Sequence, residues 1–223
     1  GIVPEEWLEA VRKRVEHHYK EETDYHLDTG IILTPVLIAY LTNHGYRDIA
    51  YGIMTAKTYP SYQTLMENDT TLSEHWSKKW PDYRYGNNTS KLVPGGGDVS
   101  HCHPMYGSVV SWLYERVAGL DLTGLHEKKV RICPYFTEYL PWAKAEKEVF
   151  CGKVSVSWER TKDGLALEAR IPAGLTGEVC FPADDPEIVN CVTKESWKRE
   201  DDGYFRFTLP AGFWRLMTKE NSV

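Results

Sequence analysis

Three features are scarce or missing in this chain, and each removes a class of function. No stretch approaches the roughly 18 consecutive apolar residues that a membrane-spanning helix needs, so the sequence gives no reason to place it in a membrane. Basic clusters are missing. The 26 Lys and Arg are outnumbered by 32 Asp and Glu, and the net charge of −6 argues against nucleic acid or an anionic membrane surface as a partner. Cysteine is sparse, with only Cys102, Cys133, Cys151, Cys180 and Cys191. Their odd number and the lack of any CxxC spacing predict free thiols in apolar surroundings, with neither a disulfide frame nor a zinc site. No signal-peptide pattern, internal repeat or low-complexity tract stands out, and the N-terminus opens directly into a helical pattern. At 223 residues the chain has room for one large domain or two small ones.

What the chain does contain is a change of period. In the first ~120 residues the apolar positions recur at helical spacing. Trp7, Val11 and Val15, with Leu8, line one face behind Pro4. Thr34-Pro35 is a helix-start signal, and the apolar stretch from Val36 to Leu41 predicts a short helix buried all round. Gly45 stops it, and Ile49, Ala50, Ile53 and Met54 form the next face, so the two helices should make a tight hairpin. Tyr106, Val109, Val110, Leu113 and Val117 give a further helical face, stopped by Gly119. Beyond Lys129 the period becomes two. Val154, Val156 and Trp158 alternate with polar residues, as do Leu165, Leu167, Ala169 and Ile171, with Asp163-Gly164 as the turn between them. Val179 and Phe181, then Phe205, Phe207 and Leu209, continue the alternation. The prediction is an α+β multidomain chain: a helical domain over 1–128, then an antiparallel β-sandwich over 129–223.

Between the helices lies a long, loop-rich stretch from Tyr59 to Tyr114. Loops of such length in compact domains usually carry a site. This one holds Tyr59-Pro60-Ser61-Tyr62, then Glu67-Asn68-Asp69-Thr70-Thr71-Leu72-Ser73-Glu74-His75-Trp76, then Ser100-His101-Cys102-His103. Aromatic rings among a few carboxylates and imidazoles suit a sugar, whose apolar face stacks on a ring while its hydroxyls meet polar groups. The His-x-His pair also fits a metal, but no third ligand stands at a convincing spacing. The expectation is therefore no metal and no cofactor.

These blocks resemble, in order, those of bacterial α-L-rhamnosidases of the inverting (α/α)6-barrel type, glycoside hydrolase family 78. Gly1-Ile2-Val3-Pro4-Glu5-Glu6 resembles the start of a later barrel helix. His26-Leu27-Asp28-Thr29-Gly30 with Thr34-Pro35 resembles HLxTGxxGTP, and Leu41-Thr42-Asn43-His44-Gly45-Tyr46-Arg47-Asp48-Ile49-Ala50-Tyr51 resembles LxxNGxxDLAY. Tyr59 to Tyr62 resembles YPSW, and Thr70 to Trp76 resembles TTxWExW. Ser100 to His103, with Gly107-Ser108-Val109 and Trp112-Leu113-Tyr114, resembles SxNHxxxGSVxxWLY.

The resemblance implies the last portion of an (α/α)6 barrel followed by the C-terminal β-sandwich. It implies an inverting hydrolysis of terminal α-L-rhamnosides by two carboxyl groups. Glu74 falls on the glutamate expected to be the general base, and His103 on a sugar-contacting histidine. Trp76, Tyr62, His101, Glu67 and Asp69 are the further candidates for substrate binding, with Trp80 another stacking ring. Asp28 and Thr29 are expected either at the pocket floor or as caps. Several positions depart from the family pattern. Asn68-Asp69 stands for Gly-Ala, Ser73 for an aromatic, Leu33 for Gly and Cys102 for Asn, and Tyr62 replaces the more common Trp. These put strict L-rhamnose specificity in doubt.

Nothing in the chain resembles the acidic segment that carries the family's general acid. The expectation is a fragment that is inactive alone, whose partners are a carbohydrate and the missing N-terminal part of the same protein. Its exposed barrel surface should drive homodimerisation or aggregation. Bacterial cytoplasm and periplasm both stay open. Two alternatives remain: another (α/α)-barrel carbohydrate-active enzyme, such as a lyase, and a non-catalytic carbohydrate-binding module.

Overall fold

A computed structural model describes residues 3–67, 70–76 and 100–219. The chain forms two compact units, Gly1–Val109 and Val110–Val223.

The first unit is helical. Helix α1 (Leu8–His17) follows a single 3-10 turn over Glu5–Trp7, whose two acidic residues complement the positive helix end. It widens into a π turn over His18–Glu22. Helix α2 (Thr34–Asn43) has Pro35 in its first turn, where a missing N–H costs nothing. Helix α3 (Arg47–Thr55) follows after three residues and packs on α2 with Ile49, Ala50, Tyr51 and Ile53 buried. Helix α4 (Tyr62–Met66) begins at a reciprocal cap. The Thr64 N–H donates to Ser61 Oγ and the Ser61 N–H to Thr64 Oγ1, both at 3.2 Å. Helix α5 (Pro104–Gly107) is one turn.

One expectation is corrected here. Helix α2, on which α3 and α5 pack, is not buried all round. Ile38 and Leu41 face them and are buried, whereas Val36 is 64% and Tyr40 42% exposed. Trp7, Leu8, Ile32 and Leu33 are exposed as well.

The π turn opens onto a chain of charges. Arg14 donates twice to the Glu22 carboxylate, at 2.8 and 3.0 Å. His18 lies between two acids, with Nδ1 2.7 Å from Glu22 and Nε2 2.7 Å from Asp28. The bonds to Glu22 and then Asp28 raise the His18 pKa, and the Arg14 and His18 bonds hold Glu22 down at about 2.

Among the described residues the second unit holds ten strands in two sheets. Strands β1 (Leu120–Asp121), β2 (Lys129–Ile132), β6 (Thr176–Pro182) and β9 (Tyr204–Leu209) form one, in the order β1-β2-β6-β9. The other has the order β3-β4-β5-β10-β7-β8. Its members are β3 (Trp142–Val149), β4 (Gly152–Thr161), β5 (Gly164–Ile171), β10 (Gly212–Lys219), β7 (Glu187–Asn190) and β8 (Ser196–Lys198). All pairs are antiparallel except β2 with β6. Trp158 lies at the centre of the core, 2% exposed, with Phe136 edge-on at 5.2 Å. Phe136 meets Phe181 in the same way, which ties the two sheets together. The Trp158 indole N–H donates to the Val117 carbonyl at 2.7 Å, anchoring the π-helical end Leu113–Ala118 to the sandwich.

Gly119 joins that helical end to β1 at φ +87°, and a Cβ there would lie 2.4 Å from Pro134 N. Gly174 has a similar φ of +89° with open space around it. Gly174→Ala should therefore cost only the left-handed strain of about 1–2 kcal/mol. Gly119→Ala should add overpacking of about 1–3 kcal/mol to the same strain. Urea denaturation of both variants checks this, and equal losses would refute the close approach.

The charge chain predicts a pH dependence. His18 has its pKa raised on folding, so its contribution is complete below the ordinary value of about 6.5 and is lost as pH rises through the folded value. Glu22 is depressed, so its contribution holds above the usual carboxylate range and is lost only as pH falls through about 2. Stability should decline between neutral and mildly alkaline pH, and His18→Gln should flatten that decline. Thermal midpoints measured from pH 5.5 to 8.5 test it; an unchanged slope in the variant would remove His18 from the network.

Candidate active site

Two segments of the first unit far apart in sequence lie side by side. The His103 N–H donates to the Leu72 carbonyl at 2.8 Å, and the Glu74 N–H to the Ser100 carbonyl at 2.9 Å. The Thr71 hydroxyl donates to the His101 carbonyl. The Glu74 side chain closes the pairing, with Oε1 accepting from the Ser100 N–H at 2.8 Å. Its other oxygen, Oε2, lies 3.7 Å from His103 Nδ1. Both side chains are about a quarter exposed, which is open enough to meet a ligand and buried enough to hold one orientation. The structure thus brings Glu74 and His103 together.

A wall of rings stands beside them. Trp76 stacks obliquely on Tyr106, centroids 4.2 Å apart, and meets Tyr62 edge-on at 5.4 Å. The Tyr62 hydroxyl donates to the Tyr106 carbonyl at 3.1 Å, and the Trp76 indole N–H to the Thr29 carbonyl at 2.9 Å. Burial pushes the Tyr106 hydroxyl up to about 12 and drives Tyr62 higher still, so both stay protonated. Tyr62 is 3% and Trp76 9% exposed. Both are candidates for substrate binding; in this structure each packs against the other and against Tyr106.

His101 and Glu67 are exposed. Asp69 and Trp80 lie outside the described residues. Asp28 is engaged by His18, and Thr29 uses its hydroxyl on Thr34 at 2.9 Å while its carbonyl holds Trp76. His26 bonds the Thr58 hydroxyl at 2.7 Å and the Thr23 carbonyl at 2.9 Å, pinning the chain ahead of α2 to the end of α3. Sequence reasoning missed Ser100 and Tyr106. Tyr106 carried a signal, since it belongs to the helical face that begins after His103-Pro104. Ser100 carried none, because it acts through its backbone.

The chain can now be set beside known proteins. The sequence profile of the bacterial alpha-L-rhamnosidase 6 hairpin glycosidase domain matches residues 1–117, and that of the bacterial alpha-L-rhamnosidase C-terminal domain matches residues 128–196. An alpha-L-rhamnosidase of Streptomyces avermitilis is 32% identical over 197 residues, covering 88% of this chain and 18% of the relative. One from Formosa agariphila is 32% identical over 167 residues, 74% of this chain and 17% of the relative. Among solved structures, the alpha-L-rhamnosidase from Dictyoglumus thermophilum superposes with a TM-score of 0.80 at 28% identity, over 98% of this chain and 24% of that one. The Streptomyces avermitilis enzyme complexed with L-rhamnose gives 0.78 at 30%, over 97% and 20%. The chain spans about one fifth of the length of these relatives. A six-hairpin glycosidase helical segment followed by a rhamnosidase C-terminal β domain, aligned with such relatives along nearly its whole length, places this chain in the bacterial alpha-L-rhamnosidase family.

Proposed function

We propose that the intact protein hydrolyses terminal α-L-rhamnosides with inversion, and that Glu74 is its general base. The observation that carries this is the fixed carboxylate of Glu74 beside the His103 imidazole, 3.7 Å away, on two paired backbone segments. Inversion needs a base that takes a proton from water as the water oxygen bonds the anomeric carbon. It also needs an acid on the opposite face that protonates the departing glycosidic oxygen. Glu74 fits the first part. Ser100 anchors one of its oxygens and the other is left for water. The acid is assigned to a segment outside this chain, and the 223 residues alone are inactive. The exposed Trp7, Leu8, Ile32, Leu33 and Val36 support this assignment, as apolar surface that the missing part of the same protein would cover. Uncovered, the same surface would drive pairing of two copies.

His103 gives and accepts hydrogen bonds with sugar hydroxyls, as a neutral imidazole can. Glu67, Asp69 and His101 are proposed as further substrate-binding residues, and the packed Tyr62 and Trp76 rings as the support that keeps the loop in place. The border between the barrel part and the sandwich is proposed near 128/129, close to the start of the C-terminal profile at 128, although β1 at Leu120–Asp121 already pairs into the sandwich and the compact units divide at 109/110.

In the full-length protein, Glu74→Gln should lower turnover of an aryl α-L-rhamnoside by about 10²–10⁴-fold, since an amide keeps the shape but takes no proton from water. Folding should be unaffected. Near-normal turnover would remove Glu74 from the mechanism.

His103→Ala should raise KM and lower kcat/KM by about tenfold to a hundredfold, the effect of about 1–3 kcal/mol from an unpaired buried polar group. His101→Ala should do less, and EDTA nothing. A larger effect at His101, or loss of activity in EDTA, would reopen the metal reading of the His-x-His pair.

A further inference from the structure

A cavity of about 530 Å³ lies on the outer face of the six-stranded sheet, within the second unit. The strand register explains why it exists. Strands β3 and β4 set Trp142 opposite Glu159 and Lys144 opposite Ser157. Strands β4 and β5 set Glu159 opposite Ala166 and Ser157 opposite Glu168. Strands β5 and β10 set Ala166 opposite Met217 and Glu168 opposite Arg215. Two rows therefore cross four strands: Trp142, Glu159, Ala166 and Met217, beside Lys144, Ser157, Glu168 and Arg215. Their sequence neighbours Ala143, Trp158, Leu167 and Leu216 are buried in the core, so the pleat points both rows outward. The short side chains, Ser157 and Ala166, fall in the middle of the rows and make the floor. Trp142 and Lys144 rise at one end, Arg215 and Met217 at the other.

The chemistry of this trough is specific. Trp142 is 62% exposed, which leaves a broad indole face in water. Arg215 donates through Nε to Glu168 at 2.7 Å, which orients the guanidinium and leaves its terminal nitrogens available. Glu159 has no ion pair among the described residues. Both signs of charge are present, so a phosphate would meet two carboxylates and a cation would meet Lys144 and Arg215. An apolar peptide would offer no polar partner to Glu159 or to the Glu168–Arg215 pair. A neutral polyhydroxylated ring uses everything there: its apolar face covers the indole, its hydroxyls donate to carboxylates and accept from Lys144 and Arg215. The volume is also within the range of small-molecule sites.

We propose that this trough is a second carbohydrate site, accepting a neutral pyranoside unit by stacking on Trp142 and hydrogen bonding to Glu159, Glu168 and Arg215. It calls on neither Glu74 nor His103, so it stands or falls apart from the catalytic reading. The test is two-dimensional NMR on the 223-residue chain, titrated separately with the methyl α-pyranosides of L-rhamnose, D-glucose and D-galactose. At least one should shift the Trp142 indole and the amides of residues 157–159, 166–168 and 215–217 saturably, with Kd on the order of 1–10 mM. Trp142→Ala should weaken that binding about tenfold or more, the loss of one stacked ring. Trp7→Ala, which removes another exposed indole, and Glu74→Gln should leave it unchanged. No shift in the rows with any of the three sugars to about 50 mM, or undiminished binding in Trp142→Ala, overturns the proposal. Shifts confined to the surroundings of Glu74 and His103 also overturn it, while leaving the first site's reading intact.

Discussion

The candidate site depends on one interaction, the pairing of the backbone around Leu72–Glu74 with that around Ser100–His103. Loop backbone so close to the interior must find hydrogen-bond partners, and these two segments supply each other's. The pairing also sets directions. Alternation along an extended segment turns Ser73 inward, where it is fully buried, and leaves Glu74 half-open on the other side. With one carboxylate oxygen bound to Ser100, Glu74 has little freedom left, and the other oxygen faces His103. The inward hydroxyl of Ser73 has no hydrogen-bond partner among the described residues. An unpaired buried hydroxyl costs about 1–3 kcal/mol, and the family pattern has an aromatic ring at that position. The departure from the pattern and the orphaned group are therefore one observation, made once in sequence and once in structure.

Elements were legible in the sequence where buried positions were filled by strong apolar residues. Strands β4 and β5 alternate Val, Trp and Leu with polar residues, and each of those apolar positions is buried. Strand β3 escaped notice because its buried residues are Ala143 and Ala145, too small to signal a period. Strand β10 buries Thr218, whose hydroxyl accepts from the Leu165 N–H, and β7 buries Asn190, whose side chain holds the following turn. Those interior positions are polar because each satisfies backbone, so binary patterning does not find them. The parallel pairing of β2 with β6 is likewise a matter of topology, invisible to local period. The hairpin between β4 and β5 turns at Lys162-Asp163, with Gly164 already paired to Thr161 as the first strand residue.

The site was legible in a different way. Nothing in local periodicity brings Glu74 within reach of His103. Only the order of short motifs suggested it, and motifs name side chains rather than backbone partners. That is why Glu74 and His103 could be singled out while Ser100, which contributes an N–H and a carbonyl, could not. Asp28 shows the reverse failure. Its place in a recognisable motif suggested a pocket floor or a cap, but the deciding neighbour, His18, sits in a π turn with no sequence signal. For Trp76 and Tyr62 the motif left two roles open: the same ring chemistry that stacks on a sugar also packs on Tyr106, and both rings are buried in that packing.

Burial alone is not sufficient either. Trp7 and Trp142 are almost equally exposed, at 63% and 62%. Trp7 heads a helix whose half-buried face, Val11 and Val15, continues in the same direction, an apolar stripe with no polar groups converging on the indole among the described residues. Trp142 instead stands at the edge of a trough whose opposite wall carries an oriented guanidinium and whose floor is polar and apolar by turns. The difference lies in the neighbours, and for a strand the neighbours follow from register. A shift of one residue in the β3–β4 pairing would turn Trp142 and Lys144 into the core and set Ala143 and Ala145 outside. The packing of Trp158 against Phe136 and the Val117 carbonyl fixes the orientation of β4. The same constraint that closes the sandwich core thus decides which side chains its outer face presents.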